Sequence, residues 1–221
     1  MPGRSTILVN EEYYHIFNRG VARQPTFLNR NDYKRALLTL SYYRFTSQTV
    51  RLSRFKEFSQ EERNRIVANM QKKEKFAEIV SFVFMPNHFH LLLKQTIDNG
   101  ISHFLSKFTN SYTKYFNTKY NRVGPVFQGV FKSVHIDSDE QLLHLSRYIH
   151  LNPVVSVVVE KQNLLSYPWS SFPEFLTEQS DLIFRGPVLE HFQTADHYKK
   201  FVFDNIDYGR KLEEIKHLVL E

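Results

Sequence analysis

The pattern of hydrophobic and polar positions along the chain predicts an alternation of strands and helices. An aromatic and β-branched run at residues 13–18 indicates a first strand, and a helical spacing of apolar positions begins near residue 31. The strongest strand signals are at residues 76–85 and 88–94, which are separated by a Pro-Asn turn dipeptide. These two segments are expected to form an antiparallel hairpin near the centre of a sheet.

The second half of the chain continues this alternation. A long helix is predicted from Asn99 onwards, because apolar side chains recur there at steps of three and four. Residues 126–136 are expected to form another strand. A further helix is predicted from Ser138, which has the spacing of an N-cap, to about Leu151, where an Asn-Pro dipeptide should end it. The order predicts an α+β fold, an antiparallel sheet with helices packed on one face.

Two segments lie outside this regular order. Residues 46–75 are charged and only weakly periodic, which is typical of a polar, partly helical insertion. The chain beyond residue 175 has amphipathic helical patterns and is expected to form a C-terminal helical extension, 176–221. The predicted organisation is therefore one domain over residues 1–175, with the insertion inside it and the extension after it.

The composition is that of a folded, basic protein. Of its residues, 42% are hydrophobic, and the formal net charge of +6 favours a polyanionic partner such as nucleic acid. The chain has no cysteine, which excludes disulfides and thiolate metal sites. No segment has the pattern of a signal peptide or a membrane span, so we expect a cytoplasmic protein with no membrane partner.

Two histidines in the second strand of the hairpin are candidate metal ligands. His88 and His90 are two residues apart, so their imidazoles should point to the same face of the sheet, while Phe89 points into the core. Two imidazoles on one rigid strand supply most of a metal site. An exposed strand face can also carry histidines without any function, and the spacing alone does not exclude this.

The helix after Ser138 carries a second candidate group. Tyr148 and Asn152 are four residues apart and therefore share one edge of the helix. A phenol can attack phosphorus when a cation favours its phenolate form, and an amide oxygen can bind a hard cation. A tyrosine beside an apolar stripe can equally be a core-edge residue, and an asparagine before proline can be part of a turn.

Several motifs together resemble the REP-associated tyrosine transposases of bacteria, which are single-tyrosine HUH enzymes (named for a His-hydrophobic-His motif). The similarity covers roughly residues 10–175. It rests on YYHIFNRG at residues 13–20, MPNHFHLLL at 85–93, VFQGVFKS at 126–133, LSRYIHLNPV at 145–154 and YPWSSF at 167–172. The sequence departs from relatives at Val130, where they often have arginine, and in the longer stretch at 46–75.

The resemblance implies a ferredoxin-like fold and cleavage of single-stranded DNA through a covalent 5′-phosphotyrosine, at sites flanked by hairpins. It implies that His88 and His90 bind a divalent cation, Mg²⁺ or Mn²⁺, that Tyr148 is the nucleophile, and that Asn152 is the third metal ligand. The expected partner is single-stranded or hairpin DNA. Relatives include dimers and apparent monomers, so a monomer or homodimer is expected.

Binding of a DNA strand requires cations along its phosphates. The candidate contacts are basic residues near the predicted site and on the long helix. They are Arg19, Arg23, Lys107, Lys114, Arg122, Lys132 and Arg147.

Two other functions fit the same residues. One is a domesticated relative that binds hairpin DNA or RNA without cutting it. The other is a metal-dependent hydrolase that uses activated water and forms no covalent protein–DNA species.

Overall fold

The computed structural model of the chain describes residues 6–177 and 180–204. Its centre is a four-stranded antiparallel sheet with the spatial order β2-β3-β1-β4. The strands are β1 (Tyr13–Arg19), β2 (Ala77–Met85), β3 (His88–Gln95) and β4 (Lys132–Ile136). Two long helices, α1 (Arg30–Tyr43) and α4 (Gly100–Lys119), complete the β-α-β-β-α-β order of a ferredoxin-like fold, which confirms the predicted fold class.

The two faces of the sheet are covered by different helices. On one face, Phe89 of β3 and Phe84 of β2 pack against Phe108 of α4. On the other face lies α5 (Asp139–Val155), which packs mainly against β2. The sequence prediction placed helices on one face, as α1 and α4 are. The structure also places α5 on the opposite face, so helices cover both faces of the sheet.

The predicted insertion is folded and partly helical. It contains α2 (Leu52–Phe55) and α3 (Gln60–Gln71), and Ser59 forms the capping box that begins α3. Its apolar side chains form a small separate core with residues from the end of α1. This core consists of Tyr42, Phe45, Leu52, Phe55 and Met70.

Only β3 of the predicted hairpin is central, because β2 lies at one edge of the sheet. The backbone of a later segment covers this edge. Phe84 N donates to Trp169 O at 2.8 Å, and Phe184 N donates to Ile79 O at 2.8 Å. An edge strand that is paired in this way does not expose unsatisfied backbone groups, which explains why β2 is almost entirely buried.

Two boundaries predicted from the sequence were wrong. The strand predicted over residues 126–136 is limited to β4, because Gly129 adopts a left-handed φ of 54° that interrupts the extended backbone. Helix α5 continues past Leu151 with Pro153 inside it. Pro153 lacks the N–H that would donate to Ile149 O, so the helix loses one backbone hydrogen bond near its end, while Pro153 O still accepts from Val158 N at 2.8 Å.

The C-terminal part contains short helices, α6 (Phe172–Phe175) and α7 (Gly186–Leu189), followed by α8 (Ala195–Phe203). The remainder of the predicted extension, residues 205–221, lies outside the described residues. In the described ranges, no helix has both the length and the apolar character that a bilayer crossing requires.

Candidate functional site

His88 and His90 lie side by side on the face of β3 that is turned toward α5. Their ring centroids are 5.1 Å apart and the rings are almost perpendicular. Phe89 between them is fully buried on the opposite face, as strand alternation predicts. Because β3 is paired on both sides, the backbone that carries the two imidazoles is held rigidly.

The orientation of the His88 ring is set by the preceding residue. Asn87 Nδ2 donates to Arg23 O at 3.1 Å, which fixes the amide so that its Oδ1 accepts from His88 Nδ1 at 2.6 Å. In the neutral ring, the proton is therefore on Nδ1 and the lone pair on Nε2. This is the tautomer in which a histidine can bind a metal through Nε2.

A third histidine, His15 of β1, contacts the pair. Its Nε2 lies 2.8 Å from His90 Nδ1, and the two rings stack with centroids 5.0 Å apart. Burial lowers the pKa of His15 to about 4, so the ring is neutral at physiological pH. The Nε2 atom of a neutral His15 can accept a hydrogen bond from His90 Nδ1–H, which fixes the orientation of that ring as well.

Tyr148 of α5 lies over this group of histidines. Its ring meets His90 edge-on, with centroids 5.4 Å apart, and the His15 ring is 6.2 Å away. The side chain is 40% exposed, so the tyrosine is at the surface and not in the core. The structure therefore brings the predicted tyrosine and the predicted histidine pair together within one chain.

Asn152 follows one turn later on α5. It is buried, and its Oδ1 accepts a hydrogen bond from Ser156 Oγ at 3.4 Å. The amide is thus on the same helix edge as Tyr148, as the spacing predicts. In the described ranges, no three His, Cys, Asp or Glu side chains form a group that could hold a metal ion.

A buried polar network fixes the position of α5. His150 Nε2 is 2.8 Å from Ser171 Oγ, and its Nδ1 is 2.7 Å from the hydroxyl of Tyr198 in α8. Ser171 Oγ also accepts from Phe82 N at 2.9 Å, which connects the network to β2. Burial lowers the pKa of His150 to about 3, so the network is neutral and its groups are satisfied by hydrogen bonds.

Some of the predicted DNA-contacting cations lie near the histidines. Arg19 is paired with His88 in the sheet, and Lys132 is paired with Phe17 on the same sheet face. Both side chains are exposed. Arg23 is close to the β2–β3 turn, where its carbonyl binds Asn87.

The other predicted cations are elsewhere. Arg147 is half-buried with its guanidinium over Phe201 of α8, 4.2 Å from the ring centroid. Arg122 follows α4 and lies over Phe116. Lys107 and Lys114 are on α4, on the opposite side of the sheet from Tyr148. The predicted contacts thus do not form one surface.

Comparison with known families identifies the chain. A family model described as "Transposase IS200 like" matches residues 36–152, which include His88, His90, Tyr148 and Asn152. The chain belongs to the IS200-like transposase family. The match covers more than half of the sequence and spans the core of the fold from α1 to α5, which confirms the family to which the motifs pointed.

A solved structure has the same fold as this IS200-like transposase. It is titled "Structure of the REP associates tyrosine transposase bound to a REP hairpin". The TM-score is 0.52 at 16% sequence identity, and the similarity covers 80% of this chain and 87% of that chain. A comparison with curated protein sequences gave no match.

His15 and Asn87 belong to this group of side chains, although no pattern in the sequence points to them. Asn87 was assigned to the turn, although its position directly before His88 placed its amide near that ring. His15 precedes the residues matched by the family model. Its contact with His90 depends on the pairing of β1 with β3, which no local pattern reveals.

Proposed function

We propose that this transposase cuts and rejoins single-stranded DNA, with Tyr148 as the nucleophile and a divalent cation held by His88 and His90. The observation that carries the proposal is the contact of Tyr148 with His90 within one chain. A surface tyrosine on a fixed helix, beside two imidazoles on a fixed strand, supports a nucleophile that acts next to a bound cation.

The reaction exchanges one phosphodiester bond for another. Tyr148 Oη attacks a backbone phosphorus and loses its proton to solvent, and the bond from phosphorus to the 3′ oxygen breaks. The 3′ oxygen takes up a proton and leaves as a hydroxyl, while the 5′ phosphate stays on the tyrosine. Attack by a 3′ hydroxyl on this phosphotyrosine reverses the step, so rejoining needs neither water nor ATP.

The residues present fit a cation such as Mg²⁺ or Mn²⁺. His88 and His90 offer Nε2 atoms, since their Nδ1 atoms face Asn87 and His15. Asn152 would be the third ligand, and oxygens of the DNA phosphate would supply further ligands beside the two nitrogens. When bound, the cation neutralises the attacked phosphate and favours the phenolate form of tyrosine.

The proposed substrate is DNA with a hairpin beside the cut site. The solved structure of similar fold holds a REP hairpin, the sequence motifs are similar to those of the REP-associated branch, and the net charge is +6. Arg19 and Lys132, exposed on the sheet face of the histidines, are the proposed contacts for the strand that is cut.

The central test is covalent capture of a labelled oligonucleotide in the presence of Mn²⁺. Tyr148→Phe should abolish the protein–DNA adduct, because the nucleophilic oxygen is removed. Tyr13→Phe is the matched control, since Tyr13 is a half-buried tyrosine of β1 and should leave the adduct unchanged. An undiminished adduct in Tyr148→Phe would refute the assignment.

The metal is tested separately. Replacing both His88 and His90 with alanine, or adding excess chelator to the unchanged protein, should remove cleavage. Cleavage that persists in chelator contradicts the metal role. Hairpin binding without any adduct under all metal conditions would instead identify the non-cleaving binding protein.

A further inference from the structure

A basic groove lies on the far side of the sheet from the proposed active site. It runs between α4, the end of α1 and the insertion, with a volume of about 940 Å³. We call it the insertion groove. None of the described residues that line it is acidic, and six are basic. These are Arg35, Arg51, Lys56, Lys107, Lys114 and Lys119.

Most of this positive charge has no carboxylate partner. Lys119 is the exception, because its Nζ lies 2.6 Å from Asp32 Oδ1. Lys107 Nζ donates to the side-chain amide oxygen of Gln48 at 2.7 Å, and this amide carries no negative charge. Among the residues that the structure describes, the other four basic side chains of the groove form no ion pair with Asp or Glu. Cations grouped in a groove without carboxylates repel one another, and a polyanion would relieve this repulsion.

The groove is built by two regular elements. On α4, a polar stripe from Lys107 through Asn110, Ser111 and Lys114 to Thr118 follows the helical period beside the buried stripe. It extends about 16 Å along the helix, which corresponds to roughly five base pairs of DNA. Opposite it, Arg51 and Lys56 flank α2, whose apolar residues are buried in the small core of the insertion.

The Tyr115 ring in the groove is already in contact with two cations, which does not favour stacking of a base on it. The Tyr115 ring already has Arg35 at 5.2 Å and Lys119 at 5.6 Å from its centroid. Hydroxyl and amide groups from serine, threonine and asparagine make up much of the remaining lining. Cations with hydroxyl and amide donors are the groups that contact phosphates, without reading base sequence.

We propose that the insertion groove binds the sugar–phosphate backbone of duplex DNA that lies outside the strand cut by Tyr148. The proposal rests on the proposed function, since it assigns a second contact with the same DNA. The two sites are separated by at least the thickness of the sheet and its helix layer, about 10 Å or more. They therefore hold different segments of one substrate. The groove extends the footprint of the protein along the hairpin and adds affinity that does not depend on sequence.

The test compares two probes in a Tyr148→Phe background, so that cleavage does not interfere. One probe is a DNA hairpin with a stem of about 12 base pairs, longer than one helical turn, and a single-stranded arm. The other is the arm alone. The variant Arg51→Ala/Lys56→Ala should weaken hairpin binding about tenfold at low salt and reduce the slope of log affinity against log salt by about 2. Binding of the arm alone should not change.

The matched control is Lys72→Ala/Lys73→Ala, which removes the same charge from exposed residues of the insertion outside the groove. It should change hairpin affinity much less than the groove variant. Equal effects of the two variants, or equal losses for both probes, would overturn the groove proposal. The adduct assay on Tyr148 is independent, so a missing adduct with a retained groove effect would refute the proposed function alone.

Discussion

The side chains that orient the two candidate metal ligands lie outside the His-Phe-His triplet itself. His90 is held by His15 of β1 and His88 by Asn87 of the turn. Outer partners of this kind fix the tautomer of a metal-binding histidine and raise its basicity. We therefore expect His15 to act as a positioning residue, since its own ring approaches Tyr148 less closely than His90 does.

Replacing His15 with phenylalanine should leave the fold intact and weaken metal binding. The aromatic ring retains its packing against Phe17, but the contact with His90 Nδ1 is lost. The Mn²⁺ concentration for half-maximal adduct formation should rise about 10- to 100-fold, with recovery at saturating metal. His135→Phe, on the other sheet face, is the control. A fall in the maximal rate without any change in metal dependence would contradict the positioning role.

Asp32 is a buried charge that stabilises the pair of long helices. Its carboxylate accepts from Lys119 Nζ at 2.6 Å and from the hydroxyls of Tyr115 and Tyr120. Burial alone would raise the pKa of Asp32, but the hydrogen bonds from Lys119 and the two tyrosines outweigh it and hold the pKa below its usual value. The side chain has no exposed surface.

Asp32→Asn should lower the free energy of unfolding by about 2–3 kcal/mol at pH 7. A lowered native-state pKa stabilises the fold above the unfolded pKa of about 4, and this contribution is lost as the pH falls through the native value. The difference between variant and parent in the free energy of unfolding, measured with urea, should thus shrink as the pH falls below 4. Asp137→Asn, at an exposed site, should show neither effect. If Asp32→Asn lowers the free energy of unfolding equally at pH 7 and below pH 4, this account is contradicted.

At the scale of elements, the position of Tyr148 depends on how α5 is fixed across the sheet. The helix is connected to β2 and α8 through the network of His150, Ser171 and Tyr198. Tyr198 also bonds Ser146 Oγ at 3.1 Å, one turn before His150. A substitution in this network should move Tyr148 relative to His88 and His90, although the network contacts neither of these two histidines.

Tyr198→Phe tests this coupling. Loss of the buried hydroxyl leaves His150 Nδ1 and Ser146 with one partner fewer, which should lower stability by about 1–3 kcal/mol. The rate of adduct formation should fall several-fold while DNA affinity is kept. Tyr112→Phe is the matched control, because it removes a buried hydroxyl that donates to Thr26 O on the other face of the sheet. If both variants slow adduct formation equally, stability and not the position of α5 is the cause.

At the scale of the whole molecule, the two ends of the insertion lie side by side where they join the rest of the fold. Thr46 N donates to Glu74 O at 2.9 Å, and Phe76 N donates to Arg44 O at 2.7 Å. The chain thus enters and leaves the insertion at adjacent points. Its apolar residues belong mostly to a small core of their own and not to the main core.

Replacing residues 47–73 with a short Gly-Ser linker should therefore leave a folded transposase core. Circular dichroism should show a cooperative unfolding transition, and the shortened protein should still form the adduct with a single-stranded arm. Its hairpin affinity should fall at least as far as that of Arg51→Ala/Lys56→Ala, because one wall of the insertion groove is gone. Retained hairpin affinity would contradict the groove, and loss of folding would show that the sheet needs the insertion.

The sequence by itself determined the elements, their order and the residues that share a face. Period-two and period-3.6 patterns are local, so they placed His88 and His90 on one strand face and Tyr148 with Asn152 on one helix edge. The ordered motifs added the family, which the match over residues 36–152 confirms. The sequence patterns do not predict where a strand or helix ends when one residue departs from the usual rule. Gly129 shortens the predicted strand, and α5 continues through Pro153.

Only the tertiary structure decided which of these faces meet. The contact of Tyr148 with His90 requires α5 to cross the sheet on the face opposite α4, and the contact of His15 requires β1 to pair with β3. Likewise, Lys107 and Lys114, predicted as DNA contacts on the long helix, lie in the insertion groove on the other side of the sheet from Tyr148. Local periodicity states which way a side chain points, whereas pairing and packing between distant segments decide what it points toward.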